Sequence, residues 1–311
     1  MPGLVFLGTP DFAVPSLRKL LESKADIRLV VTQPDRPSGR GRKICEPPVK
    51  TLANEAGIPI YQPERIRGRE VIENIRSFGA ECAVVVAFGQ ILPQAFLDIF
   101  ALGTLNVHGS LLPGLRGAAP IQRAILAGES LTGISIMLLD AGMDTGPVLS
   151  QKEVMIGPED TFGKVYQSLA EEGAGVLVDT LRDWTAGGLA ARIQDESLAT
   201  YAPPIKKEEL RIDWNYPVKD IINKVRAFDP VPGAWFLLGG KRVKCFRAAS
   251  FPWTVIGSPG EVAGRAESGL VVVCGCGRSL SIGELQMEGQ RRMPASEFMR
   301  GRPIPAGSFL E

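Results

Sequence analysis

Short apolar runs alternate with amphipathic segments through the first two thirds of the chain. Apolar runs bounded by turn residues predict buried strands, and apolar positions spaced three and four apart predict helices. The predicted strands are 3–8, 27–31, 82–87, 104–107, 134–139 and 148–154. The predicted helices are 11–21, 49–56, 68–78 and 161–184. Strands separated by helical crossovers indicate an α/β fold with a mostly parallel, Rossmann-like sheet.

The pattern changes after residue 188. Residues 189–206 show no strong periodicity, so we interpret them as a linker between a first domain, 1–188, and a second domain, 207–311. The second domain starts with a short helix at 218–227. Its predicted strands are 234–239, 241–249, 260–265, 269–274 and 278–286. Closely spaced strands broken by glycine and proline favour a small β-barrel with an OB-like architecture.

Composition supports a folded protein. The 311 residues are 45% hydrophobic and 22% charged, with a formal net charge of +1, which excludes a disordered chain or a collagen-like fibre. The chain shows no secretory leader pattern and no apolar run near the roughly 20 residues that span a bilayer. We therefore expect a cytosolic protein with no membrane partner. We also expect a monomer, although neither composition nor these patterns bears on the oligomeric state.

Charge is distributed unevenly along the chain. Residues 1–206 carry 20 basic and 23 acidic side chains, net −3, whereas residues 207–311 carry 15 and 11, net +4. A basic C-terminal domain hints at an anionic partner. Four charges on about a hundred residues are also typical of a solvated surface, so this observation alone leaves both interpretations open.

The cysteines indicate neither disulfides nor a metal site. They are five in number, in a chain without a secretion signal, which argues against a disulfide framework. Cys274 and Cys276 have a one-residue spacer and no second Cys/His pair, and the single histidine is distant in sequence. We expect these residues to be ordinary strand thiols and expect no metal.

The turn Gly8–Ala13 lies where a dinucleotide-binding fingerprint would lie, between the first strand and the first helix. It lacks the second and third glycines that allow a pyrophosphate to approach the backbone. A hydride-transferring Rossmann enzyme is therefore disfavoured. Asp11 is interpreted as a residue that starts the helix.

The stretch from Asn106 to Pro120 is the strongest candidate for chemistry. It begins at the carboxyl end of a predicted parallel strand, where open α/β sheets bind their ligands. Alternation along the strand places Asn106 and His108 on the same side. An amide and an imidazole side by side can stabilise the oxyanion that forms when a nucleophile adds to a carbonyl. The alternative is a structural role, in which both side chains satisfy loop backbone.

The loop Asp140–Pro147 holds two carboxylates between glycines. A carboxylate near His108 would favour the imidazolium, orient the ring and accept protons through water. Asp144 could instead form an Asx turn within the tight loop. The residues alone leave these two roles for Asp144 open.

Two motifs carry a resemblance to a known family. The string N-V-H-x-S-L-L-P-x-x-R-G-A-A-P at 106–120 and the loop D-A-G-M-D-T-G at 140–146 resemble the 10-formyltetrahydrofolate-dependent formyltransferases. The chain is more similar still to the methionyl-tRNA formyltransferase family, through both predicted domains. The further motifs are G-T-P-D-F at 8–12, T-Q-P-D-R-P-S-G-R-G at 32–41, A-F-G-Q-I-L-P at 87–93, D-T at 160–161, T-Y-A at 200–202 and I-D-W at 212–214.

The resemblance implies formyl transfer from 10-formyltetrahydrofolate, a co-substrate, to the α-amine of methionyl initiator tRNA, without a metal. The catalytic residues that it implies are Asn106, His108 and Asp144. The folate-binding residues that it implies are Ser110, Leu111, Leu112, Pro113, Phe88, Gly89 and Ile91. The family often has Tyr at the position of Phe88 and Trp or Tyr at that of Leu115, and these differences bear on the shape of the folate pocket.

Two basic segments are candidate RNA contacts. A long, glycine-hinged loop at 33–48 is either functional or a solvated insertion, and the resemblance implies that it grips the acceptor end of the tRNA, with Arg40 important. The second segment is the predicted strand around 241–247, for which an ordinary charged strand face is the alternative. The candidate tRNA-binding residues are Arg36, Arg40, Arg42, Lys43, Lys241, Arg242 and Lys244.

A sugar-nucleotide N-formyltransferase is the alternative function. It would keep the three catalytic residues, but the basic G-R-G loop at 39–41 and the R-G-A-A-P string argue against it. A non-catalytic RNA-binding protein is disfavoured because all three catalytic positions match the family motif.

Overall fold

The computed structural model describes residues 2–38, 43–253, 255–275 and 277–311. The chain divides into two compact units. The first comprises Met1–Ala118, Leu131–Met155 and Tyr166–Ala202; the second comprises Ala119–Ser130, Ile156–Val165 and Pro203–Glu311. The linker that the sequence indicates at 189–206 remains a prediction about domain organisation.

Strands and helices alternate in the first half of the chain, and strands dominate the last third. The strands are β1 (Leu4–Gly8), β2 (Ile27–Val31), β3 (Arg36–Ser38), β4 (Lys43–Cys45), β5 (Ile60–Tyr61), β6 (Cys82–Val86), β7 (Thr104–His108), β8 (Leu131–Leu138), β9 (Val148–Met155), β10 (Ala234–Leu238), β11 (Lys241–Ser250), β12 (Val262–Ala266), β13 (Gly269–Val273), β14 (Ser279–Met287) and β15 (Met293–Pro294). The helices are α1 (Val14–Glu22), α2 (Pro48–Glu55), α3 (Arg69–Arg76), α4 (Gln94–Leu97), α5 (Pro120–Ala127), α6 (Phe162–Thr185), α7 (Val218–Ala227) and α8 (Ala295–Gly301).

The first unit is built on a seven-stranded sheet with the order β5-β2-β1-β6-β7-β8-β9. The pairs from β5 to β7 are parallel, whereas β7/β8 and β8/β9 are antiparallel. All residues of β1 and β6 are buried, as expected of parallel strands covered on both faces. The predicted mostly parallel, Rossmann-like sheet is confirmed.

The carboxyl ends of β6 and β7 lie side by side. Val85 pairs in parallel with Asn106, so the segments that follow the two strands leave the sheet at the same edge. Open α/β sheets bind ligands at this edge. The segment after β6 holds Phe88, Gly89 and Ile91, and the segment after β7 begins at Gly109.

The second unit contains an antiparallel sheet with the order β10-β11-β14-β13-β12, and β15 pairs with β14. This arrangement is consistent with the small barrel-like domain that the sequence predicts. Helix α7 buries Val218, Ile221 and Val225 and packs against α5. Helix α5 lies outside the predicted elements, although Pro120 at its start and the left-handed Gly128 at its end are typical helix boundaries.

Among the described residues, no helix combines the length and the apolar character needed to cross a bilayer.

Candidate functional site

His108 ends β7 and is almost completely enclosed, with 6% of its surface exposed. Its Nε2 lies 3.1 Å from the carbonyl oxygen of Leu115. Its Nδ1 lies 3.6 Å from Oδ2 of Asp144. Both ring nitrogens therefore face oxygen acceptors. A doubly protonated ring can donate to both, whereas a neutral ring can donate to only one.

Asn106 lies two residues before His108 on β7 and is half-buried. Alternation along the strand puts both side chains on the same face of the sheet. On the two sides of β7, Asn106 pairs with Val85 and with Met137. An amide and an imidazole thus line one face at the carboxyl end of the strand, as the sequence predicts.

The loop that carries Asp144 folds back towards His108. It follows β8, which runs antiparallel to β7, so that Leu138 pairs with Leu105 near the start of β7. Gly146 makes this return possible, because a Cβ at this position would collide with the carbonyl oxygen of Leu138. The returning loop brings Asp144 to the opposite end of β7.

The carboxylate of Asp144 contacts a backbone N–H group as well as the ring of His108. Its Oδ2 accepts a 2.8 Å hydrogen bond from the N–H of Gly117, and its φ of 55° lies in the left-handed region. The Asx turn within the loop is made by Asp140, whose Oδ1 accepts from the N–H of Gly142 at 3.0 Å. Of the two roles that the sequence leaves open for Asp144, the geometry favours that of partner to His108.

Side chains from β8 and β9 hold the segment that the resemblance assigns to folate. Ser135 Oγ donates to the carbonyl of Ser110 at 2.7 Å and accepts from the N–H of Leu112 at 3.0 Å. Gln151 Nε2 donates to the carbonyl of Leu112 at 2.9 Å. Ser110 Oγ donates to the carbonyl of Gly114 at 2.6 Å and closes the turn. Sequence reasoning missed Ser135 and Gln151, which lie on strands without a motif of their own.

The segment after β6 combines a buried ring with an open backbone. Phe88 is buried in the core of the first unit, and its carbonyl accepts from Thr9 Oγ1 and Gln33 Nε2 at 3.2 Å each. The side chain of phenylalanine has no hydroxyl group that would need a hydrogen-bond partner at this buried position. Ile91 is 91% exposed. Within the described residues, the backbone groups of Gly89 and Ile91 make no intrachain hydrogen bond, so they are open to a ligand.

The ends of the predicted basic loop form a short antiparallel ribbon of β3 and β4. Arg36 is exposed on β3 and pairs with Glu64 at 3.4 Å. Lys43 begins β4. Arg40 and Arg42 lie outside the described residues. Asp35 at the base of the ribbon accepts from Gln62 and Lys50, and these bonds lower its pKa.

One of the basic residues of β11, Arg242, lies beside an aromatic ring. Lys241 and Arg242 are exposed and Lys244 is half-buried. The guanidinium carbon of Arg242 lies 4.2 Å from the ring centroid of Trp235, and that of Arg211 lies 5.9 Å from it. This surface offers cations and a stacked aromatic ring together, a combination common in RNA-binding surfaces.

A segment that the sequence presents as linker contacts both loops of the site. We call residues 192–202 the strap. At one end, Arg192 bridges to Val148 with two backbone hydrogen bonds, of 2.8 and 2.9 Å. At the other end, Thr200 and Ala202 exchange backbone hydrogen bonds with Arg116. The T-Y-A motif at 200–202 is the sequence signal that marks this contact.

The strap approaches Gly117 too closely for any side chain there. Gly117 has a φ of 118°, and a Cβ on it would lie 2.9 Å from the carbonyl oxygen of Ala202. Glycine allows this close approach in the same conformation in which its N–H donates to Asp144. This is a backbone requirement for glycine within the R-G-A-A-P string.

Within the described residues, no group of three or more His, Cys, Asp or Glu side chains is arranged to hold a metal ion. Cys276 lies outside those residues. Burial raises the pKa of Cys82 to about 12. This thiol therefore stays protonated near neutral pH and does not act as a nucleophile.

Asp11 lies in the 3₁₀ turn before α1. Its Oδ1 accepts from the hydroxyl of Tyr166 at 2.6 Å and from the N–H of Phe12 at 3.1 Å. Asp11 thus ties the first turn to Tyr166 of α6, while neither helix start has a side-chain cap.

Comparison with known proteins identifies similar chains over the full length. Residues 3–181 match the family described as formyl transferase, and residues 204–303 match the formyl transferase C-terminal domain. A methionyl-tRNA formyltransferase of Geobacter sulfurreducens is 45% identical over 307 residues, which cover 99% of this chain and 96% of that protein. The corresponding protein of Moorella thermoacetica is 46% identical over 308 residues, covering 99% and 98%.

Solved structures with low sequence identity share the fold. HypX from Aquifex aeolicus, crystallised with tetrahydrofolic acid, matches all of this chain with a TM-score of 0.64 and 18% identity; the match spans 50% of the HypX chain. An N-formyltransferase from Helicobacter canadensis, crystallised with folinic acid and dTDP-3-aminofucose, has a TM-score of 0.67 and 18% identity over 94% of this chain and 100% of that one.

Proposed function

Because the chain belongs to the methionyl-tRNA formyltransferase family, we propose that it transfers the formyl group of 10-formyltetrahydrofolate to the α-amino group of methionyl initiator tRNA. The main structural support for this chemistry is the proximity of His108 and Asp144, whose Nδ1 and Oδ2 atoms lie 3.6 Å apart. Asn106 lies on the same strand face as His108.

The proposed reaction is a direct transfer. The amine nitrogen attacks the formyl carbon, so that a C–N bond forms as the bond from that carbon to folate N10 breaks. The amine loses one proton and N10 gains one. Asn106 and His108 donate hydrogen bonds to the oxyanion that develops on the formyl oxygen. Asp144 orients the imidazole and relays the proton through water.

The Leu115 carbonyl supports this use of Nε2. It lies 3.1 Å from that nitrogen, so an oxygen acceptor fits at hydrogen-bonding distance from Nε2. In the proposed complex, the formyl oxygen would accept a hydrogen bond from the same Nε2–H group. The carbonyl of Leu115 would then share that donor or lose its hydrogen bond to it.

We propose that the folate lies at the carboxyl edge of β6 and β7. The open backbone of Gly89 and Ile91 offers donors and acceptors to the polar edge of a pterin. Ser110, Leu111, Leu112 and Pro113 form the facing segment, which Ser135 and Gln151 hold in place. The tetrahydrofolic acid bound to HypX, a protein of the same fold, is consistent with this assignment.

We propose that the tRNA is bound through basic residues in both units. Those of the loop are Arg36, Arg40, Arg42 and Lys43, and those of β11 are Lys241, Arg242 and Lys244. Cations that contact phosphates contribute affinity that falls with salt concentration. The stacked Trp235 adds a surface on which a base or ribose can pack.

A substrate panel tests the function. The full chain is offered 10-formyltetrahydrofolate with methionyl initiator tRNA, methionyl elongator tRNA and an amino-sugar nucleotide in parallel, and formylated product is quantified for each. His108→Ala in each arm measures transfer that does not depend on the site. Formylation of the initiator tRNA above the other two acceptors is expected. Preference for the amino sugar would overturn the proposal.

A further inference from the structure

A buried amide joins the Asp144 loop to the rest of the site. Gln194, on the strap, is 8% exposed. Its Nε2 donates to the carbonyl of Asp144 at 2.8 Å and to the carbonyl of Gly146 at 2.7 Å. One side chain thus serves two backbone acceptors of the loop that carries the carboxylate.

Arg116 determines which way this amide points. Its guanidinium is completely buried. Nε and Nη2 donate to Oε1 of Gln194 at 3.1 and 2.9 Å, and Nη1 and Nη2 donate to the carboxylate of Glu196 at 2.9 and 2.8 Å. A guanidinium has donors only. The amide oxygen of Gln194 therefore faces Arg116, and its NH₂ group faces the loop.

The loop depends on this support. Asp144 has a positive φ of 55°, a conformation that is strained for most side chains. The residues from 140 to 143 that precede it are exposed, so little packing holds them. Removal of the Gln194 donor would leave the carbonyl of buried Gly146 without a partner, which costs free energy. The loop would then shift, and Asp144 would move with it.

We infer that Gln194, oriented by Arg116, is a positioning residue for the proposed reaction: its amide donor holds Asp144 beside His108. This inference rests on the proposed function and deepens it. It assigns a role to the strap, where the sequence shows only a linker, and to the arginine of the R-G-A-A-P string.

Two substitutions distinguish the contribution of the NH₂ donor of Gln194 from that of its amide oxygen. Gln194→Glu keeps the size and an oxygen for Arg116 but removes the NH₂ group. Gln194→Ala removes both. Both variants should lower kcat roughly tenfold or more, as small displacements of catalytic groups do, with KM for both substrates within about threefold. Ile193→Ala is the matched control, because Ile193 is the preceding residue and is 93% exposed; its kcat should be unchanged.

The decisive measurement repeats Gln194→Ala in an Asp144→Asn background. If Gln194 acts through Asp144, its removal should lower kcat less than about threefold there, since residues that act as a unit are non-additive. Equal fold losses in the two backgrounds would overturn the inference, as would near-normal kcat in Gln194→Glu. Failure of the proposed function would look different: the wild-type chain would not formylate the tRNA, or Asp144→Asn alone would keep full activity.

Discussion

Replacing Asp144 by asparagine should remove a charge from the site while leaving the loop in place. Asparagine tolerates positive φ as well as aspartate does. Its side-chain oxygen can still accept the hydrogen bond from Gly117, 2.8 Å long in the native protein. A bond to a neutral acceptor contributes about 1 kcal/mol less than one to a charged acceptor. We therefore expect the free energy of unfolding to fall by about 1 kcal/mol.

Asp144→Ala should be much less stable. It loses the charge-assisted bond to Gly117, about 1.5–3 kcal/mol, and it places alanine at a φ of 55°, which costs about a further 1 kcal/mol. The predicted loss of about 2.5–4 kcal/mol corresponds to a Tm lower by roughly 5–15 °C for a domain of this size. The two variants thus differ in stability for reasons that are separate from the reaction.

Both variants should nonetheless lose kcat by about 10² or more, the scale of an acid–base group, because both leave His108 without its carboxylate. His108→Ala should show a comparable loss. The assay is steady-state formyl transfer with both substrates saturating, at a temperature at which circular dichroism shows every variant folded, with Tm measured on the same samples. Turnover of Asp144→Asn within about threefold of wild type would refute the role of the charge. Equal Tm values for the two variants would refute the argument from Gly117 and the positive φ.

Three further outcomes are expected. Arg40→Ala should raise KM for the tRNA and reduce its salt dependence with little change in kcat; an unchanged salt slope in steady-state kinetics would mean that the loop is only a connection. Arg242→Lys should keep the salt slope of tRNA binding but weaken affinity through lost stacking on Trp235, whereas Arg242→Ala should weaken affinity further and also reduce the salt slope; wild-type affinity in Arg242→Lys would count against the stacking. The hydrogen bond from Arg116 lowers the pKa of Glu196, so this carboxylate stabilises the fold at pH values above about 4.5 and ceases to do so as the pH falls through its lowered pKa. The Tm of wild type should therefore exceed that of Glu196→Gln near pH 7 and approach it near pH 3, and a difference that does not change with pH would contradict the pairing.

The local pattern of the sequence was sufficient to predict the strand that carries the site. The strand 104–107 is visible as a short apolar run, and alternation along it places Asn106 and His108 on one side at its carboxyl end. That β6 is its parallel neighbour is seen only in the structure. The mostly parallel sheet follows from the same pattern, because helical segments separate the runs.

The place of Asp144 could not be derived in the same way. Its loop follows an antiparallel strand and starts towards the opposite edge from His108. On its return the loop accepts hydrogen bonds from Gln194, fifty residues later in the chain, and passes Leu138 at a position, Gly146, that leaves no room for a Cβ. The sequence indicates only a linker at the strap because hydrogen bonds to two loops, unlike packing on a core, leave no hydrophobic period along the chain.

The strap has a practical consequence for anyone who wishes to express the catalytic unit alone. A fragment that ends at residue 188, where the hydrophobic pattern stops, would contain Asn106, His108 and Asp144 and would still lack Gln194, Thr200 and Ala202. Buried Arg116 would have lost Gln194 and Glu196, to which it donates four hydrogen bonds in the intact chain. Such a fragment would carry the three candidate catalytic residues without the contacts that hold their loops, and its inactivity would say nothing about whether the second unit takes part in the reaction. A fragment that ends at residue 202 would keep the four hydrogen bonds of Arg116 and the backbone contacts of Thr200 and Ala202.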